Sequence, residues 1–423
     1  MDIELLYTVW LEARAISTDS RKIVVGSIFF ALRGGRFDGN TFASQALELG
    51  ASYVVVDDES VVVSGDKRYI VVEDVLTSLQ QLANKHRSTL SIPVLALTGS
   101  NGKTTTKELA RNVLSKKFKT HATEGNLNNH IGVPLTILST PDDAQFLIVE
   151  MGANHQGEID LLCQIAAPNY GMITNIGKAH LEGFGGVEGI KKGKSEMYRY
   201  LAQHGGKIFI NSDDNVLMSL LPEKVKTIQY EVQTLLNLID AEPTLKLDYR
   251  NVQVTTQLYG TYNLPNIAFA ICVGEYFGVE QAEIIEAISE YTPDNNRSQI
   301  LKIDTNIIIK DAYNANPSSM VLSIESFSKI LGPKVVVLGD MLELGEYAPS
   351  EHQKIIDLVN DKDFIDVIFI GHQFCSAGMG KRGNYFENTD LARLYFHTKN
   401  YKNITILLKG SRGISVEKIL WES

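Results

Sequence analysis

The run Gly99-Ser100-Asn101-Gly102-Lys103-Thr104 has the residue types and order needed to hold a polyphosphate. Glycines let main-chain N–H groups approach phosphates with no Cβ in the way. A helix starting at such a turn adds the partial positive charge of its N-terminus. Lys103 has the reach for the outer phosphates, and the Thr104 hydroxyl is the oxygen that such loops offer to Mg²⁺. The spacing is shorter by two residues than the general G-x-x-x-x-G-K-[ST] form. A glycine turn that merely caps a helix would share some of these residues. The setting favours the phosphate loop: the apolar stretch 93–97 reads as a buried strand, and 107–114 as a helix with apolar positions at Leu109, Val113 and Leu114. Residues 98–105, from Thr98 and Gly99 to Thr105, are the expected nucleotide cradle.

Two more groups stand at strand carboxyl ends, where open α/β sheets present ligands. Glu150 follows the apolar run 146–149, and His180 follows the strand-like 171–176 after Gly177-Lys178-Ala179. A carboxylate beside a phosphate loop is a natural Mg²⁺ donor, whereas imidazole serves a hard ion only alongside oxygen donors. His180 is equally compatible with a surface or capping role. Lys191, Lys192 and Lys194 follow in a helix-like stretch, and a lysine run usually marks a solvated face. Asn126 and Asn129 belong to an amide-rich segment that could bind substrate or only close turns. Asn263 could cap the apolar helix it opens, with Asn266 one turn on. Residues 292–298 read as a linker, in which Asn296 tolerates a left-handed backbone just before Arg297.

Holding these groups in place requires alternating strands and helices, and most of the chain supplies them. The expected fold is α/β in three domains: a small N-terminal α/β unit (1–82), a central P-loop unit with a mostly parallel sheet (83–297), and a C-terminal doubly wound α/β unit (298–423). The first carries strand-like runs at 27–32, 53–56 and 69–72 and helices at 42–49 and 75–89. The last carries strands at 306–310, 334–338, 367–370 and 404–408, each followed by a polar loop. Gly371 begins no G-x-G-x-x-G fingerprint, so no dinucleotide site is expected. A length of 423 residues suits two or three domains. The net charge of −10 leaves no global basic field to attract nucleic acid. Cys163, Cys272 and Cys375 stand far apart in apolar surroundings without metal spacing, as buried free thiols of a reducing compartment would. Asp2 and Glu4 replace the basic start of a signal peptide, and no apolar run is long enough to cross a bilayer. A cytoplasmic protein without a membrane partner is expected.

Longer motifs add a resemblance. S-T-D-S-R at 17–21, F-F-A-L-R-G at 29–34, F-D-G-N at 37–40, the loop T-G-x-N-G-K-T, E-G-N-L-N-N-x-I-G-V-P, E-M-G-A-N, D-A-Y-N-A-N-P, L-G-D-M-L-E-L-G-E and K-G-S-R together resemble the Mur ligase family across all three units. The resemblance implies a monomeric amide ligase using ATP and Mg²⁺. Its substrates would be UDP-N-acetylmuramoyl-tripeptide and D-alanyl-D-alanine, joined through an acyl phosphate in peptidoglycan precursor synthesis. It implies that Asp19, Ser20, Arg21, Phe37, Asp38 and Gly39 hold the UDP end of the substrate, with Asn126 and Asn129 also facing substrate. Asn263 and Asn266 would lie against adenine, and Arg297 would touch phosphate. Asp311 and Asn314, with Asn316 in the same motif, would sit near the ribose and the incoming amine, while Lys409 and Arg412 flank the cleft. Lys194, fourteen positions after His180 and followed by Ser-Glu, matches the family lysine that carries a carbamate; Lys192 is its near competitor. Thr104, Glu150, His180 and Lys194 would then form the metal set, and Lys103, His180 and Lys194 the catalytic one. The C-terminal unit is expected to close on ATP. Ser100 and Asn296 depart from the family pattern without removing a charge. Two alternatives remain: a folylpolyglutamate synthetase-like ligase, against which D-A-Y-N-A-N-P and S-T-D-S-R argue, and a non-catalytic nucleotide switch, which needs neither His180 nor Lys194.

Overall fold

The computed structural model describes residues 2–35, 37–293 and 296–421. Arg36, in the N-terminal Gly/Arg loop, and Asp294 and Asn295, in the expected linker, lie outside the described residues.

The N-terminal strands Ile16–Ser17, Ile28–Phe30, Tyr53–Val56 and Tyr69–Val71 form a four-stranded parallel sheet in that order. A helix that the sequence reading left unassigned, Ile3–Ala13, buries Leu6 and Trp10 against helix Val75–Thr89. The latter helix ties this unit to the next. Its buried Arg87 donates from Nε to Ala166 O and from Nη2 to Ala167 O, both at 2.9 Å. Those carbonyls close helix Glu158–Ala166, where the macrodipole is negative. The helix expected at 42–49 is a 3₁₀ turn, Gly39–Phe42, followed by Ala43–Glu48.

The central sheet is parallel throughout, with six strands in the order Lys226–Tyr230, Lys207–Asn211, Tyr170–Ile173, Val94–Thr98, Phe146–Glu150, Thr120–Ala122. Val94–Thr98 and Phe146–Glu150 are buried at every position, which explains their unbroken apolar runs: helices cover both faces. Because Val94–Thr98 lies between Tyr170–Ile173 and Phe146–Glu150, the phosphate loop, Glu150 and the segment leading to His180 leave neighbouring strands at one edge. Helix Lys103–Ser115 starts at the end of the loop, four residues earlier than expected, and packs on helix Leu264–Tyr276. Ile148 has no exposed surface at the centre of this sheet. Ile148→Ala should therefore cost about 2–5 kcal/mol, read as a lower urea midpoint of the central unit. An unexpected three-stranded antiparallel sheet, Asn237–Asp240, Lys246–Tyr249 and Val252–Thr255, is appended to this unit.

The C-terminal sheet has the order Gln299–Ile303, Asn306–Asp311, Thr405–Lys409, Lys334–Gly339, Asp366–Ile370, Asn384–Phe386, with only the first pair antiparallel. Chain order reverses around Thr405–Lys409, so the loops after Asp311, Gly339 and Lys409 open at a switch point, the usual ligand side. The three cysteines are free thiols; Cys163 and Cys272 are buried, but Cys375, on the short helix His372–Ala377, is only half-buried, contrary to expectation. Among the described residues no helix is long and apolar enough to cross a membrane.

Candidate active site

A cavity of about 700 Å³ lies where the carboxyl edges of the central and C-terminal sheets face each other. Ser100, Asn101, Gly102, Lys103, Thr104 and Thr105 line it, with Asn126, Asn129, Glu150, His180, Asn263 and Asn266 from the central unit. Arg297, Asp311, Asn314, Asn316 and Lys409 complete the far wall.

The phosphate loop is fixed by its neighbours. A Cβ on Gly99 (φ 138°) would come within 2.0 Å of Thr174 Oγ1, so this position requires glycine twice over. Ser100 Oγ donates to Gly177 O (3.0 Å) and accepts the Gly177 N–H (2.8 Å). The unusual serine thus laces the loop to the segment that leads to His180. Thr98 and Gly99 do not line the cavity: Thr98 Oγ1 donates to Met151 O at 2.7 Å, joining two strand ends. Lys103 Nζ donates to Gly99 O at 2.7 Å. Desolvation lowers its pKa, with Glu150 opposing and Arg297 adding to the shift.

Glu150, 2 % exposed, accepts from Thr104 Oγ1 on one oxygen and from Asn128 Nδ2 on the other, each at 2.8 Å. Among the described residues no cation pairs with it within 4.0 Å. A buried carboxylate held only by neutral donors is under-compensated, and that fits a divalent cation at Thr104 and Glu150. The described residues form no cluster of three or more His, Cys, Asp or Glu for a metal. Phosphate and water oxygens must therefore supply most of the ligands, as is usual for Mg²⁺. Asn128 escaped the sequence reading although its neighbours Asn126 and Asn129 were singled out; the amide run was the signal, but not which amide points inward. Asn129 closes a turn, its Oδ1 accepting the N–H groups of Ile131 (3.1 Å) and Gly132 (2.9 Å).

His180 sits in the left-handed region (φ 55°), and its Nδ1 lies against Glu343 Oε2 of the C-terminal unit. Lys194 does not line the cavity but lies behind Ala153, which does. It is 1 % exposed, donates to Ala153 O at 3.2 Å and stands 5.2 Å from the Phe184 ring centre. Desolvation, reinforced by Lys103, drives its pKa well below the ordinary lysine value. Lys192 is exposed. The two lysines are therefore distinguished by burial, which spacing alone could not do.

Asn263 stands at the N-cap of helix Leu264–Tyr276 but makes no side-chain cap bond: its Nδ2 donates to Tyr259 O and its Oδ1 accepts from Asn266 Nδ2, both at 2.8 Å. Tyr262 joins them on the wall, unforeseen. Asn296 is left-handed (φ 62°), and the Arg297 guanidinium stacks 3.6 Å from the Tyr313 ring centre. Asp311 and Lys409 are register partners on adjacent parallel strands and form an ion pair at 2.5 Å. Asn314 bonds the next N–H through its Oδ1, at 2.9 Å from Ala315 N. Asn316 caps helix Pro317–Ser328 and donates to Asn101 Oδ1 at 2.7 Å, so the C-terminal unit touches the phosphate loop itself.

Some expected residues lie elsewhere. Arg412, expected beside the cleft, opens the 3₁₀ turn Arg412–Ile414 and sits 3.8 Å from Glu417, outside the cavity lining. Asp19, Ser20, Arg21, Phe37, Asp38 and Gly39 are on the N-terminal unit and do not line the cavity either. There Arg21 pairs with Asp19 at 2.8 Å, Asp38 caps the turn at Asn40 (2.9 Å), and a Cβ on Gly39 would meet Leu32 O at 2.4 Å.

Comparison with known proteins places this geometry. Profiles described as Mur ligase family, catalytic domain; Mur ligase middle domain; and Mur ligase, glutamate ligase domain match residues 12–87, 97–274 and 296–412. The UDP-N-acetylmuramoyl-tripeptide–D-alanyl-D-alanine ligase of Bacillus subtilis (strain 168) is 35% identical, covering 96% of this chain and 92% of its own. A crystal structure of MurF from Acinetobacter baumannii superimposes with a TM-score of 0.86 at 30% identity, covering 96% of this chain and 92% of that one. MurF ligase from Thermotoga maritima, solved in complex with ADP, gives 0.85 at 28% identity over 97% of both chains. With all three units matched in order and near-full-length relatives above 30% identity, this chain belongs to the Mur ligase family.

Proposed function

We propose that this chain joins D-alanyl-D-alanine to UDP-N-acetylmuramoyl-tripeptide, using ATP, in the cytoplasmic assembly of peptidoglycan precursors. The observation that carries this reading is the single cavity where a phosphate loop, Glu150 and His180 meet the Asp311–Lys409 pair of another unit. Near-full-length similarity to ligases of that name supports the substrate class. The three working units divide near residues 82 and 297.

The chemistry follows from charge. A carboxylate is a poor electrophile. One of its oxygens attacks the γ-phosphorus of ATP, the bond to the β–γ bridging oxygen breaks, and ADP leaves an acyl phosphate. The dipeptide amine then attacks that carbonyl, loses a proton, and the tetrahedral adduct expels phosphate to leave an amide. Each step crowds anions, and Lys103 with the loop N–H groups neutralises them. Thr104 and Glu150 would hold Mg²⁺, which when bound screens the phosphates further. Asn263 and Asn266 lie against the base, with Arg297 on phosphate and Asp311 on ribose. Asn314, Asn316 and Lys409 face the incoming amine, while Asn126 and Asn129 face the acceptor. Asp19, Ser20, Arg21, Phe37, Asp38 and Gly39 hold the UDP end, away from the reacting atoms. Bringing three substrates together from three units converts a termolecular problem into one of positioning.

The test is ADP release with UDP-N-acetylmuramoyl-tripeptide, with and without D-alanyl-D-alanine. Sustained release is expected only with both. Nucleotide binding without acceptor-dependent turnover would leave a switch instead, and turnover with a folate acceptor would move the chain to the other ligase class.

A further inference from the structure

His180 and Glu343 approach the cavity from different units, and each keeps a left-handed backbone, at φ 55° and φ 62°. Such conformations in non-glycine residues persist only where the surroundings impose them. The surroundings of Glu343 do so. Its loop is held from behind by His352, whose Nδ1 donates to Ala348 O at 2.7 Å and whose Nε2 accepts the Met341 N–H at 3.0 Å. Ser411 Oγ accepts the Leu342 N–H at 3.0 Å. In front, Glu343 O accepts the Glu182 N–H of the central unit at 3.4 Å, so main chain and side chain both reach across. His180 Nδ1 is buried and, among the described residues, has no partner other than the Glu343 carboxylate.

We propose that Glu343 is a positioning residue for the ligase reaction: its carboxylate on Nδ1 fixes the ring orientation and tautomer of His180, leaving Nε2 as the nitrogen that serves the cavity. A carboxylate on the far nitrogen is the general means of setting an active imidazole. Here the carboxylate belongs to the C-terminal unit. His180 is therefore set only when the two units are together, and an open enzyme carries an unset histidine. This couples closure to chemistry at one contact and rests on the ligase reading for its rate measurement.

The experiment combines a mutant cycle with ring spectroscopy on the full chain. Glu343→Ala should lower kcat by about 10–100-fold, with KM for ATP within about twofold and the melting temperature unchanged. Glu343→Gln, which still accepts an N–H, should keep most of the rate. Adding Glu343→Ala to His180→Ala should lower the residual rate no further. With ¹⁵N-labelled histidine, ADP and the UDP substrate, the His180 ring, assigned by its loss in His180→Ala, should show a proton fixed on Nδ1 and an averaged tautomer in Glu343→Ala. Unchanged kcat in Glu343→Ala, losses that multiply in the double variant, a glutamine variant as poor as the alanine one, or identical ring spectra would each overturn the proposal. An inactive wild-type enzyme would instead count against the ligase reading, because the ring spectrum reports the pair without turnover.

Discussion

Lys103→Ala is expected to reduce ADP release by about a thousandfold or more while leaving the fold in place. Removing a single neutral donor from an oxyanion site costs about 10²–10³ in rate. Lys103 should cost more, because it contributes a full charge where a carboxylate must approach a triphosphate. Arginine should not substitute: its planar fork is larger than the ammonium and matches a different geometry. The fold should survive because the lysine's protein bonds stay within its own loop, to Gly99 O at 2.7 Å and Ser100 O at 3.5 Å. The loop's shape is set instead by Thr174 Oγ1, which donates to Asn101 O at 2.6 Å, and by the Ser100–Gly177 bonds. ADP release and a thermal melt on the same preparation check both halves. A variant within tenfold of wild type would remove Lys103 from the phosphoryl step, and one that melts much earlier would mean that the loop needs the ammonium to hold its shape.

The parts of this site that could be read from sequence are those whose chemistry is local. A phosphate loop must be contiguous, so residues 99–104 announced themselves, and the buried parallel strands on either side, Val94–Thr98 and Phe146–Glu150, were legible as apolar runs. Glu150 was legible as an acid at the end of such a run. Asn128 and Glu343 were not, because their significance lies in what they touch across the fold: Glu150 in one case, His180 in the other. The antiparallel strands 237–255 were missed for a different reason. The first, Asn237–Asp240, is almost wholly exposed, so it lacks the alternation that marks a half-buried strand. Arg412 erred in the opposite direction: its motif neighbour Lys409 is drawn into the cavity by pairing with Asp311, but the chain turns at Arg412 and carries it out toward Glu417.

Lys194→Ala is the second substitution expected to have a large effect, and the outcome turns on the state of the amine. At 1 % exposure Lys194 has no carboxylate within 4.0 Å among the described residues; its polar contact is a carbonyl, and an aromatic ring lies beside it. An ammonium there would be poorly compensated. Burial first, and then the nearby Lys103 charge, depress its pKa, so the amine is neutral at pH values where an ordinary lysine is protonated. A neutral amine can add CO₂: an N–C bond forms, a proton leaves, and the side chain becomes a carboxylate-like anion behind Ala153, which lines the cavity. The reaction needs the unprotonated form, so activity that depends on it should fall as the pH drops through the Lys194 pKa, which lies below that of an ordinary lysine. Lys194→Ala should lower kcat by about two to three orders of magnitude, in line with the loss of a single charged group from a preorganised site. A short carboxylic acid such as acetate, small enough for the vacated space, should restore part of the rate. Lys192→Ala should do nothing, since that side chain is exposed. Wild-type enzyme supplied with ¹³C-bicarbonate should show a carbamate carbon that Lys194→Ala lacks. Full activity of Lys194→Ala in bicarbonate-free buffer would take the carbamate out of the mechanism and leave Lys194 as a packing residue behind Ala153.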